Sequence, residues 1–210
     1  MIAFQQLIRK HKLLDCDVLC VWATRLDSPG GKGYKKALWL VAQMNKMCNA
    51  KLVFLNSWSA SAQAKNVITS LRREAEMWGL PEENLVFSSA EGASWEQGVP
   101  RKVVRDLLWI AKGKLDPSQT ETFSIATAEA AVCKNLLVLN DDLEMMHELT
   151  NDNAFFIPFG SEWGGTKVSQ QYNPSPQKYF LDRAKEVLGM LYKNKPLMQH
   201  RKVLRHFTRD

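Results

Sequence analysis

The sequence predicts an α/β fold: a Rossmann-like, open, mostly parallel six-stranded sheet with helices on both faces. Three observations carry that expectation. Five short runs, at 17–24, 51–56, 84–88, 136–139 and 154–158, read as strands, those at 17–24 and 136–139 with the consecutive apolar residues of a strand covered on both sides, and a sixth extended run leads from Lys114 into Asp116-Pro117-Ser118. Helical patterns separate these runs, the βα alternation whose crossovers favour parallel pairing. The chain has 210 residues, 45% of them apolar, which is enough for one full core.

Taken in order, residues 1–14 read as a helix or arm with Ile2, Phe4, Leu7, Ile8 and Leu13 apolar, a connector in a scheme that assigns 1–16 to an N-terminal helix. The strand at 17–24 ends in a glycine-bearing loop, 27–33, and a helix follows to about Met47 with Leu38, Val41 and Met44 on one stripe. The loop matches neither a dinucleotide fingerprint nor a P-loop. Arg25 closing the strand and Lys32 opening the helix are the stronger signal, because cations at the carboxyl end of a central strand sit where such sheets bind ligands. The strand at 51–56 leads through Ser57 to a helix, 60–78, stopped by Gly79-Leu80-Pro81. After the strand at 84–88 come a polar loop from Ser89 and a helix, 100–112, with Val103, Leu107 and Leu108 inward. Residues 160–177 are too rich in glycine and proline for a regular element. Two helices, 177–193 and a strongly basic 196–207, close the chain, which divides as 17–176 for the Rossmann-like domain and 177–210 for terminal helices.

The stretch 114–140 holds the chemistry. Its expected helix, 123–134, is slim with alanine and starts after a polar turn, so Glu121 falls in the loop and Glu129 inside the helix, eight residues on. The unpaired amides of Phe123, Ser124 and Ile125 fall between them. Such a helix start suits a phosphate, and an ionised carboxylate can accept two hydrogen bonds from a diol. A nucleotide-sugar offers diphosphate, ribose diol and sugar hydroxyls together. Both glutamates also read simply as solvated acids at a helix start, and two other glutamate pairs, Glu74/Glu82 and Glu83/Glu91, share the spacing without the context.

Asp116-Pro117-Ser118, the run from Glu121 through Thr122, Phe123, Ser124 and Ile125 to Glu129-Ala130, and the following LLVLNDDLEMMHEL resemble the donor-site segment of retaining glycosyltransferases of family 4. The family pattern is Pro-Ser, Glu-Gly-Phe-Gly, then Glu-Ala with seven residues between the glutamates; here Thr122 and Ser124 stand where glycines are usual. The resemblance implies one half, the C-terminal donor-binding half, of a GT-B fold. It implies an enzyme of hexosyltransferase type, transferring sugar from a nucleoside diphosphate to a hydroxyl with retention and without a metal or other cofactor. It gives the diphosphate to Arg25 and Lys32, phosphate or sugar oxygens to the amides of Thr122, Phe123, Ser124 and Ile125, the ribose to Glu129 and the donor sugar to Glu121 as catalytic residue. Ser57 and Ser89 are placed near the base by position alone. No second Rossmann-like unit precedes the strand at 17–24, so an acceptor-binding domain in cis or a partner subunit is expected, its acceptor a glycan, lipid or protein. A non-catalytic nucleotide-binding or regulatory module of the same fold fits equally.

Composition narrows the rest. The net charge of +6 suits an anionic partner without naming it, and specific nucleic-acid binding is not expected, as no reading motif accompanies the basic tail. The longest apolar runs are far below the roughly 20 residues of a membrane span, which points to a cytoplasmic chain. Four cysteines and four histidines show no metal-ligand spacing.

Overall fold

A computed structural model describes residues 2–26, 32–57, 62–91, 95, 97–121, 124–159 and 176–193. The elements are α1 (Ile2–His11), β1 (Val18–Arg25), α2 (Tyr34–Asn45), β2 (Ala50–Ser57), α3 (Ala62–Met77), β3 (Leu85–Phe87), α4 (Arg101–Ile110), β4 (Gly113–Asp116), α5 (Ile125–Val132), β5 (Leu136–Asn140), α6 (Glu144–Thr150), β6 (Phe155–Ile157) and α7 (Pro176–Tyr192). One-turn 3-10 segments lie at Glu82–Asn84 and Ser88–Glu91. The sheet runs β3-β2-β1-β4-β5-β6, every pairing parallel. β1 pairs along its whole length with β2, from Val18↔Ala50 to Arg25↔Ser57, but meets β4 at only Cys20↔Gly113 and Val21↔Lys114.

Strand pleat splits each apolar run between two cores. Val18, Cys20 and Trp22 join Leu38, Phe54, Leu136 and Phe180 on one face, with α2, α3 and α7. Leu19 and Val21 join Val53, Leu107, Leu137 and Met146 on the other, with α4, α5 and α6. Leu7 of α1 and the following Leu13 belong to this second core, so the segment expected as a connector covers the sheet. Two-sided burial is why these strands read as continuously apolar in sequence.

Helix ends are where expectation and structure differ. α1 stops at His11 because Lys12 takes a left-handed φ of 48°, and α5 stops at Val132 with Lys134 at 66°. Both ends thus use the left-handed exit that releases a chain from its helix. Pro100 stands at the N-cap of α4 rather than inside its first turn. The loop 160–175 and the expected basic helix 196–207 lie outside the described residues.

Candidate functional site

The strand order runs outward one way from β1 to β3 and the other way from β4 to β6, so β1 and β4 flank the switch point at which open α/β sheets leave a crevice beyond their carboxyl ends. A cleft of about 630 Å³ opens there. It is lined by Ala23, Thr24 and Arg25 from β1, Lys32 before α2, Leu55 from β2, Asp116, Ser118 and Glu121 after β4, and Ser124, Ile125 and Ala126 at the start of α5. Five residues expected from sequence, Arg25, Lys32, Glu121, Ser124 and Ile125, are therefore brought together.

Gly33 sets the approach of the two loops. Its φ is 67°, and a Cβ there would lie 2.5 Å from the carbonyl oxygen of Pro117, so the residue must be both left-handed and bare. That contact holds the start of α2 against the turn after β4. Lys32 then donates from Nζ to Glu121 Oε2 at 3.1 Å and to the Thr120 carbonyl at 3.4 Å. Cation and carboxylate, 89 residues apart in sequence, form one partly buried pair at the cleft mouth. The Tyr34 hydroxyl donates to the Arg25 carbonyl and so ties the end of β1 to α2.

The cleft floor is a buried polar network that the sequence reading did not assign. Lys114 and Asp116, 1% and 3% exposed, form an ion pair two residues apart on β4. Lys114 also donates to Thr127 Oγ1 at 2.6 Å. Asp116 accepts from the Ser118 hydroxyl at 2.6 Å and the Ser124 hydroxyl at 3.3 Å, and Thr127 donates to Ser124 at 2.8 Å. Burial pushes the Asp116 carboxyl up, but the Lys114 charge and the hydrogen bonds from Lys114 and Ser118 outweigh it and hold the group below its ordinary value. The network pins the first turn of α5 to the end of β4. The signal in the sequence was the period of two: Lys114 and Asp116 must share a face of an otherwise apolar sheet, and two buried charges there must be partners.

Ser124 is the N-cap of α5, and the first bond back to it comes from the Thr127 amide at 3.0 Å. The amides of Ile125 and Ala126 precede that bond and belong to the open end of the helix. Thr122 and Phe123 lie outside the described residues. Behind the cleft, Asn140 donates to the Ser118 carbonyl at 2.9 Å and accepts from the Phe159 amide at 3.0 Å, locking the ends of β5 and β6 to the same turn.

Other expected residues stand elsewhere. Glu129 is one helical turn beyond Ile125, half-buried in a second cleft of about 770 Å³ between α4 and α5, where Arg101 Nη2 lies 3.3 Å from its Oε1. Ser89 is buried, its hydroxyl accepting from the Asn56 amide group while its own amide donates to Asn56 Oδ1 at 3.3 Å. It clasps the ends of β2 and β3. The side chain of Ser57 is outside the described residues. Cys20 is fully buried, its thiol pushed up to about 12 by desolvation, and all four cysteines are free. Among the described residues no helix is long and apolar enough to cross a membrane.

No family model matches this sequence, and no curated protein is similar to it. Solved structures are similar in shape. A glycosyltransferase from Rickettsia africae matches with a TM-score of 0.64 at 15% identity, over 97% of this chain and 47% of its own. Sucrose-phosphate synthase from Thermosynechococcus elongatus matches at 0.64 and 13%, over 97% and 44%. An E. coli trehalose-6-phosphate structure bound with UDP-2-fluoro glucose matches at 0.54 and 13%, over 100% and 48%. The chain spans about half the length of each of these structures, and its fold is that of one half of a GT-B glycosyltransferase.

Proposed function

We propose that this chain is the donor-binding domain of a retaining glycosyltransferase and takes a nucleoside-diphosphate sugar in the cleft between β1 and β4. The observation that carries the reading is the convergence of Lys32, Glu121 and the start of α5 at the switch point of the sheet. The diphosphate meets Arg25, Lys32 and the amides of Ile125 and Ala126, which oppose the charge that builds on the leaving group without a metal. Glu121 takes donor-sugar hydroxyls. Bound donor then competes for Lys32, so the Lys32–Glu121 pair opens and each partner turns to a different part of the ligand. The ribose diol goes to Glu129, one helical turn beyond Ile125, so the ligand must extend past the first turn of α5 into the neighbouring cleft and take Glu129 from Arg101. A solved structure of the same half-fold that carries UDP-2-fluoro glucose supports the ligand class.

An acceptor-binding domain, in cis or as a partner subunit, completes the enzyme. Thermal-shift measurements with UDP-, GDP-, ADP- and CMP-sugars test the reading. Ligand at 100 times its dissociation constant stabilises a fold by about 2.7 kcal/mol, and one nucleotide series should stand out. Flat melting curves across the whole panel would overturn the donor site.

A further inference from the structure

We infer that the outer face of α4 and α5 docks on an anionic lipid bilayer, a surface the proposed donor site touches only at Ile125 and Glu129. Three large apolar side chains are exposed on these two neighbouring helices: Trp109 and Ile125 at 60% and Val132 at 52%. Monomeric surfaces rarely gather such residues without a use for them. On α4, Arg101, Arg105 and Trp109 recur every four residues and form one outward row, with Lys102 beside it, while Val103 and Leu107 turn into the core. Exposed Trp109 and Val132 line the groove between the helices together with Arg101, Lys102 and Arg105, so apolar groups and cations share one outward surface.

That mixture decides the partner. An anionic bilayer offers phosphate at its surface and hydrocarbon just below, and exposed basic side chains beside a Trp suit that boundary because each joins an apolar body to a polar or charged tip. The acids nearby do not cancel the rim. Arg101 and Arg105 pair with Glu129 at 3.3 Å and Asp106 at 2.6 Å, but both guanidiniums are exposed, and such pairs contribute little against a field of phosphates. Lys102 and Lys134 add two further exposed cations, and the chain carries +6 overall. Ile125 lines the donor cleft and is exposed one helical turn before Glu129, so docking would bring the cleft beside the membrane surface.

Flotation of the full chain with vesicles tests the inference, using phosphatidylcholine alone and phosphatidylcholine mixed with phosphatidylglycerol. The chain should float with the mixed vesicles and not with the neutral ones. Each surface Lys or Arg is worth about 1 kcal/mol at such a membrane, so the Lys102→Glu/Arg105→Glu variant should lose roughly thirtyfold or more in partitioning. Trp109→Ala should lose partitioning too. All three side chains are exposed, and circular dichroism with the melting temperature shows whether the variants remain folded. Equal flotation with both vesicle types, none with either, or variants that float like the parent would each overturn the docking face. Light scattering that shows self-association, lost in Trp109→Ala, in a chain that ignores vesicles would give the face to a second copy instead.

Discussion

Lys32 carries the sharpest expectation for a single residue. Its ammonium sits 3.1 Å from Glu121 in the cleft, and in the proposed donor pose it meets the diphosphate and not the nucleoside. Lys32→Ala should therefore cost more affinity for a nucleoside diphosphate than for the nucleoside, by roughly 1.5–3 kcal/mol for a lost charge-assisted bond. Calorimetry that returned equal losses for both ligands would reduce Lys32 to a rim charge. Lys32 and Arg25 were legible because they bracket a loop at the end of an apolar strand. Glu129 shows where residue spacing stops informing: Glu121 lies before the helix begins at Ile125, so helical periodicity does not relate the two. Their geometry depends on the loop, and Glu129 ends up on the side of α5 that faces Arg101.

At the scale of elements, strands were read well and their partnerships were not. Consecutive apolar positions mark a strand buried on both faces, but nothing local tells that α5 supplies Ser124 and Thr127 to Lys114 and Asp116 on β4. The same holds for Lys36, whose ammonium leaves the first turn of α2 and donates to the Phe159 carbonyl after β6. Burial lowers its pKa from 10.5 to about 8, with Asp142 opposing in part. Between those two values the unfolded chain holds a proton that the folded chain has lost, so stability rises with pH across that window. Below about pH 8 the folded state carries a buried charge instead. The melting temperature of the parent should thus climb relative to Lys36→Met as pH goes from 7 to 10. Two curves that stay parallel would show that Lys36 does not titrate there.

For the whole molecule, with the donor site as proposed, one Rossmann-like layer leaves the cleft open on the side where transfer would need an acceptor held and water excluded. This chain by itself should bind donor and show at most slow donor hydrolysis, with transfer appearing once an acceptor domain is supplied. Rapid transfer to a defined acceptor by the isolated monomer would sink that expectation. The βα alternation was legible end to end, whereas the strand order that creates the cleft was not, because it rests on β1 meeting β4 across 92 residues in the register Cys20↔Gly113 and Val21↔Lys114. That ladder is far shorter than the full-length pairing of β1 with β2, and it runs directly beneath the candidate site. In the language of amide exchange, such a seam is a weak place in the interior of the sheet, between strands that each have two neighbours. Deuterium should enter β4 before β2, and a ligand that touches Arg25 on one side and Ser124 on the other would staple the seam, slowing exchange in β4 more than anywhere else in the sheet.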